Sequence, residues 1–95
     1  PLIDLQQMGA AFYEALGPDA SHRAFATARE ATHHNDYGSY EIAKCVVQGI
    51  RENRLPIAKF IVDDFKVFDP THPDPLDSFH IPPSPLTNLP TPAGN

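Results

Sequence analysis

An α/β fold is what this 95-residue sequence predicts, on three observations. The apolar segment Leu2-Ile3-Asp4-Leu5 suits the end of a buried strand and passes with no loop into a helical pattern, the order in which α/β folds are built. Two later segments carry one-sided apolar stripes of helical period. Those stripes have no sheet to cover, and a lone strand has no partner for its backbone N–H and C=O groups. The chain therefore asks for several more parallel strands than it contains. A preceding part of the same polypeptide supplies them most simply, another chain less simply. Because Pro1 opens inside an apolar segment with no initiator methionine or signal peptide, the expectation is that something upstream has been removed.

The first helix starts after Asp4, which can cap it with Gln7 in the reciprocal position of a capping box. Leu5, Met8, Phe12 and Leu16 then recur at helical spacing until Gly17-Pro18 ends the pattern. Asp4 would sit at the C-terminal end of a strand, where α/β folds place ligands, although a plain helix cap accounts for it. Residues 18–35 are polar and irregular, with a short helical turn expected around His22 to Thr27, and have the character of a functional loop. The second helix is expected from an Asn35 cap to about Asn53. Ala43, Val46, Val47 and Ile50 form its apolar stripe, and Glu41, Lys44, Arg51 and Glu52 tend to the other side. Pro56 suits the first turn of a further short helix that buries Ile57, Ile61 and Val62 and stops early, because Asp63 and Asp64 oppose the dipole at its end.

Composition divides the chain in two. From Asp69 to Asn95 there are eight prolines and no Lys or Arg, so residues 1–66 form the foldable strand-helix-loop-helix part and residues 67–95 a proline-rich extended tail. Sixty-odd residues are near the size at which a core becomes marginal. The tail has two readings, a disordered or polyproline segment, or a strap whose Phe65, Phe68 and Phe79 dock in grooves. The recurrence of those aromatics favours docking to about Pro85 and disorder beyond it. Net charge is −5 with the few basic residues scattered, which gives no footprint for nucleic acid, and no apolar run approaches the roughly 18 residues a membrane span needs. Cys45, the single cysteine, lies among Ile42, Val46 and Val47 and reads as a small buried hydrophobe.

The chemistry concentrates in Glu30-Ala31-Thr32-His33-His34-Asn35-Asp36-Tyr37-Gly38, where an acid stands three residues before a histidine at the entrance to the second helix. An acid that orients a histidine and a histidine that moves protons are two thirds of a hydrolytic triad. The remaining third, a nucleophile in a tight turn with oxyanion donors, is absent: Ser21, Ser39, Ser78 and Ser84 stand in no Gly-x-Ser-x-Gly or Gly-Asp-Ser context. A metal held by His33, His34, Asp36 and His22 is the competing idea, but adjacent residues at a helix start diverge, and no His-x-x-x-His or cysteine pair makes a rigid site. No cofactor or metal is expected. Tyr37 and Tyr40 stand at the helix start, where tyrosines more often pack with their hydroxyls at the surface than stack on a ligand.

Thr32-His33, Asn35 and Tyr37-Gly38, followed by a helix containing Ala43-Lys44-Cys45-Val46, resemble the last sequence block of the SGNH, or GDSL-type, hydrolases. Within that superfamily the block is most similar to bacterial rhamnogalacturonan acetylesterase-like carbohydrate esterases. Pro1 through Leu5, Tyr13 through Pro18, Phe68-Asp69-Pro70, His72 through Pro75 and Pro82 through Pro85 share that likeness. The resemblance implies the C-terminal portion of a flavodoxin-like three-layer α/β/α domain: last strand, two or three helices and proline-rich tail. It implies a serine esterase, secreted or periplasmic, that deacetylates pectic polysaccharide, with His33 as general base and Glu30 as orienting acid toward a serine in a missing N-terminal part. The 95 residues alone would then be inactive. Glu30 departs from the family's Asp by one methylene, which puts its alignment in doubt, and Asp36 is the substitute to consider, although it suits the helix dipole better. The alternative is a non-enzymatic accessory or binding module that docks on a partner α/β domain.

Overall fold

The computed structural model describes residues 1–83 and Pro85. Two helices dominate, α1 over Leu5–Ala20 and α2 over Asp36–Glu52, each followed by a 3₁₀ turn, Ser21–Ala24 and Pro56–Phe60. Asp4 caps α1 as expected, its side chain accepting from the Gln7 N–H at 3.0 Å. The helical run breaks at Gly17, whose φ of 87° is a left-handed value open to glycine, and Pro18 starts one more turn that leads into the 3₁₀ segment. Helix α2 is capped by Asn35, which accepts from Gly38 N–H at 3.0 Å. It closes in a Schellman motif: Leu55 N–H reaches the Ile50 carbonyl at 3.1 Å and Arg54 N–H the Arg51 carbonyl at 3.0 Å, with Arg54 in the left-handed position usually held by glycine.

Among the described residues there is no sheet. Their β pairing is a single antiparallel bridge, Phe25 with His34. The strand end expected at Leu2–Leu5 has no paired neighbour there; Leu2 is exposed, its carbonyl accepts from Asn53 Nδ2 at 3.1 Å, and Ile3 packs where a Cβ on Gly49 would come within 2.5 Å of its Cγ2. Phe12, Ala24 and Tyr37 form the buried centre, with Tyr13, Leu16, Phe25, Ile42, Leu76 and Phe79 packed around them. This core joins α1, the loop and the first turn of α2 to the tail.

The covering of α2 departs from the one expected, most clearly at Glu41. Glu41, Cys45, Gln48 and Gly49 are buried, while Ala43 is exposed and Val46, Val47 and Ile50 are only half-buried. The proline-rich segment is the reason, because it lies along the polar side of α2 and supplies the backbone groups those side chains bond. Gln48 Oε1 accepts from Phe68 N–H at 3.0 Å, Glu41 Oε1 accepts from Asp74 N–H at 2.5 Å, and the Tyr37 hydroxyl donates to the Asp74 carbonyl at 2.7 Å. Lys44 pairs with both Asp74 and Glu41 and lies over the rings of Tyr40 and Phe68. Prolines lack the N–H, and of the amides the tail keeps, those of Phe68 and Asp74 go to these acceptors while those of Thr71, His72 and Phe79 bond within the tail.

Tyr37 therefore does not carry its hydroxyl at the surface as expected; it is buried, whereas Tyr40 remains half exposed. Phe68 is buried, and Phe79 meets Tyr37 and Tyr40 edge-on at centroid distances of 5.1 and 5.4 Å, so the docked reading of the tail holds over these residues. The disorder expected beyond Pro85 falls outside the described residues. Cys45 is fully buried, as expected, and its surroundings push the thiol up. Ile57 and Val62 were expected to be buried and are not: they are 57% and 64% exposed, because the 3₁₀ turn packs only on α2 and nothing among the described residues covers its outer side. With Val47, Ile50, Phe60, Ile61 and Phe65 they line an open apolar depression.

Candidate active site

The site is built where the loop after α1 meets the first turn of α2. Backbone pairing holds that loop closed: Ala26 N–H donates to the His33 carbonyl at 2.8 Å and Asn35 N–H to the Ala24 carbonyl at 3.0 Å. Asn35 adds a side-chain bond from Nδ2 to the Arg23 carbonyl at 2.6 Å while its oxygen caps α2, so one residue ties loop and helix together. Gly38 is what lets them close. A Cβ there would collide with the Ala24 carbonyl oxygen and stand 2.8 Å from His34 Cδ2.

Within this frame Glu30 and His33 come together as the sequence spacing suggests. Glu30 Oε1 accepts from the His33 backbone N–H at 2.7 Å and lies 3.2 Å from its ring Nδ1. The longer glutamate thus reaches both atoms from three residues upstream. A carboxylate only accepts, so this contact assigns the ring proton to Nδ1 and leaves Nε2 with a lone pair. Among the described residues Nε2 has no hydrogen-bond partner, and the side chain is 29% exposed. The ring is thus anchored at Nδ1 while Nε2 is left to accept a proton, as a general base does.

His34 goes the opposite way. Its ring stacks on Phe25 at 4.8 Å and lies parallel to Tyr13, whose hydroxyl stands 2.6 Å from Nε2. Burial lowers the His34 pKa and raises that of Tyr13, the latter helped by Cys45, so the phenol donates and the neutral imidazole accepts. Divergence of the two rings removes the geometry a metal would need, and among the described residues no group of three His, Cys, Asp or Glu side chains is placed to hold an ion. Asp36 is exposed in the first turn of α2, where it serves the dipole, and His22 is exposed on the 3₁₀ turn. Asp4 acts as a cap.

No serine hydroxyl is bonded to the His33 ring among the described residues. Ser21 and Ser78 bond the carbonyls of Pro18 and Pro75, and Ser39 is exposed on α2; Ser84 lies outside the described residues. The structure adds a second acid and histidine at the same spacing, Asp69 and His72, with Oδ2 to Nδ1 also 3.2 Å. Thr71 bonds Asp69 through both hydroxyl and N–H and holds its carboxyl below the usual range. His72 is 84% exposed, so this pair is a surface turn with no enclosed ring. The Tyr13–His34 contact was not read from the sequence: the residues are 21 apart, and its one trace there is an aromatic on the inner side of α1.

The chain is similar to the rhamnogalacturonan acetylesterase RhgT of Bacillus subtilis (strain 168), at 34% identity over 74 residues, covering 65% of this chain and 32% of that protein. It spans about a third of that relative's length. No protein-family model and no solved structure matches it. The similarity is to an esterase and relates the chain to hydrolases. Among the described residues no helix is long and apolar enough to cross a membrane.

Proposed function

We propose that this chain is the C-terminal, histidine-bearing part of a serine ester hydrolase of the SGNH type, which removes acetyl groups from pectic polysaccharide outside the cytoplasm. The observation that carries the reading is the double contact of Glu30 Oε1 to the backbone N–H and ring Nδ1 of His33, which orients the ring and selects its tautomer. Similarity to the Bacillus esterase supports the substrate class. Half-buried Val46, Val47 and Ile50, with exposed Ile57 and Val62, support an α/β/α domain in which a preceding sheet covers these helices.

In this reaction a serine of the preceding part attacks the ester carbonyl as His33 Nε2 takes its proton. Glu30 stabilises the imidazolium that results. The proton then passes from Nε2 to the leaving sugar oxygen, and a water activated by the same nitrogen hydrolyses the acetyl-serine. An imidazole can do both because neutral it accepts the serine proton and as imidazolium it returns that proton, without extremes of pH.

The test is hydrolysis of p-nitrophenyl acetate by the full-length protein. His33→Ala should lower kcat about a thousandfold or more. Wild-type turnover in that variant, or a gene that encodes no Gly-Asp-Ser turn upstream, would sink the esterase in favour of a non-enzymatic module docking on a partner domain.

A further inference from the structure

We propose that Tyr13 and His34 are positioning residues that lock the backbone of His33 and so aim its ring; the inference rests on the esterase reading above. Both polar backbone groups of His33 are engaged, the N–H by Glu30 Oε1 at 2.7 Å and the carbonyl by Ala26 N–H at 2.8 Å. The position of that carbonyl depends on the next residue. His34 forms the bridge to Phe25 and is confined on each side: Phe25 stacks at 4.8 Å, Gly38 backs its Cδ2, and the Tyr13 hydroxyl bonds Nε2 at 2.6 Å.

The Tyr13 bond is the one that ties His34 to α1. Tyr13 stands on α1 against Phe12, which is fully buried, at a centroid distance of 5.1 Å, and it stacks on Phe25 at 5.7 Å. Through it the loop that carries Glu30 and His33 is referred to the buried core on α1 rather than to its own exposed tip at residues 26–29. Neither side chain touches the Glu30–His33 contact. Their effect on the reaction is therefore transmitted by backbone placement, and a displacement on the order of 1 Å at a catalytic group costs about a hundredfold.

A double-mutant cycle on the full-length protein tests this with p-nitrophenyl acetate. Tyr13→Phe keeps the stacked ring and removes one oxygen, while His34→Leu removes the acceptor. Each should lower kcat about tenfold with KM unchanged, and the double variant should fall no further than the singles, since both remove one interaction. His34→Gln, which places an amide oxygen near the position of Nε2, should recover most of the loss. Turnover within twofold of wild type in Tyr13→Phe, losses that multiply in the double variant, or a rise in KM alone would overturn the proposal. If His34→Leu does not fold, Tyr13→Phe with the His34→Gln rescue decides. The parent reading fails separately: wild-type turnover in His33→Ala overturns the esterase, whereas loss in His33→Ala with none in Tyr13→Phe overturns only the positioning role.

Discussion

Glu41 shows how one side chain is set by what covers it. It is fully buried, with Oε1 bonded to Asp74 N–H and Oε2 paired with Lys44 Nζ at 3.3 Å but without hydrogen-bond alignment to any group among the described residues. Burial pushes its carboxyl up from the ordinary 4.5, with the Asp74 charge adding and the Asp74 N–H and Lys44 opposing. A folded pKa above the unfolded one means that, between the two, the unfolded chain has released a proton the folded chain keeps. Stability from this group is therefore lost as pH rises through that interval. As pH falls from neutral toward 4.5, wild type should gain melting temperature relative to Glu41→Gln; a difference that does not change with pH would contradict the assignment. Tyr37, pushed up to about 12 by burial and by Glu41 and Asp74, stays a donor throughout this range. Asp69, held low, titrates alike in both proteins and cancels from the comparison.

At the scale of elements, the entrance to α2 is the joint on which the site depends. Asn35 caps the helix and ties back to Arg23, and Gly38 lets the first turn lie against Ala24 and His34. Helical geometry at Gly38 is open to any residue, so the requirement here is space and not conformation. Gly38→Ala must push the helix from the loop, and the cost of such overpacking is about 1–3 kcal/mol. Its melting temperature should fall, and its kcat should fall further than that of an alanine placed at exposed Ser39. Equal effects at the two positions would show that the close approach does not matter. Caps, breaks and helix limits were legible in the sequence because they are local: Asp4, Gly17-Pro18 and Asn35 act on amides within four residues. Which side of α2 is covered was not legible, because Glu41, Lys44 and Gln48 meet partners 20 to 33 residues away.

For the whole molecule, the distribution of apolar surface decides how it behaves alone. Leu2, Ile57, Phe60, Val62 and Val67 are exposed, and the apolar side of α2 is only half covered. Of these, Ile57, Phe60 and Val62 line one apolar depression with Val47 and Ile50, the face that a preceding sheet would cover on the function proposed above. The isolated 95 residues should melt with low cooperativity, bind a hydrophobic dye and show no esterase activity. A sharp two-state melt of a monomer would mean that these faces need no cover. The tail works in the opposite sense, since Leu76 and Phe79 add to the core around Tyr37 and Phe68 is buried beside Gln48 and Lys44.

The sequence by itself determined the helices, their caps, the buried cysteine and the juxtaposition of Glu30 with His33, because each depends on groups a few residues apart or on the chemistry of a single side chain. Tertiary structure alone decided that the tail covers the polar side of α2, that Tyr37 is buried, and that His34 turns from His33 to Tyr13. Those outcomes rest on backbone amides and aromatic rings brought together from distant segments, where burial makes an unpaired polar group costly and leaves few alternatives.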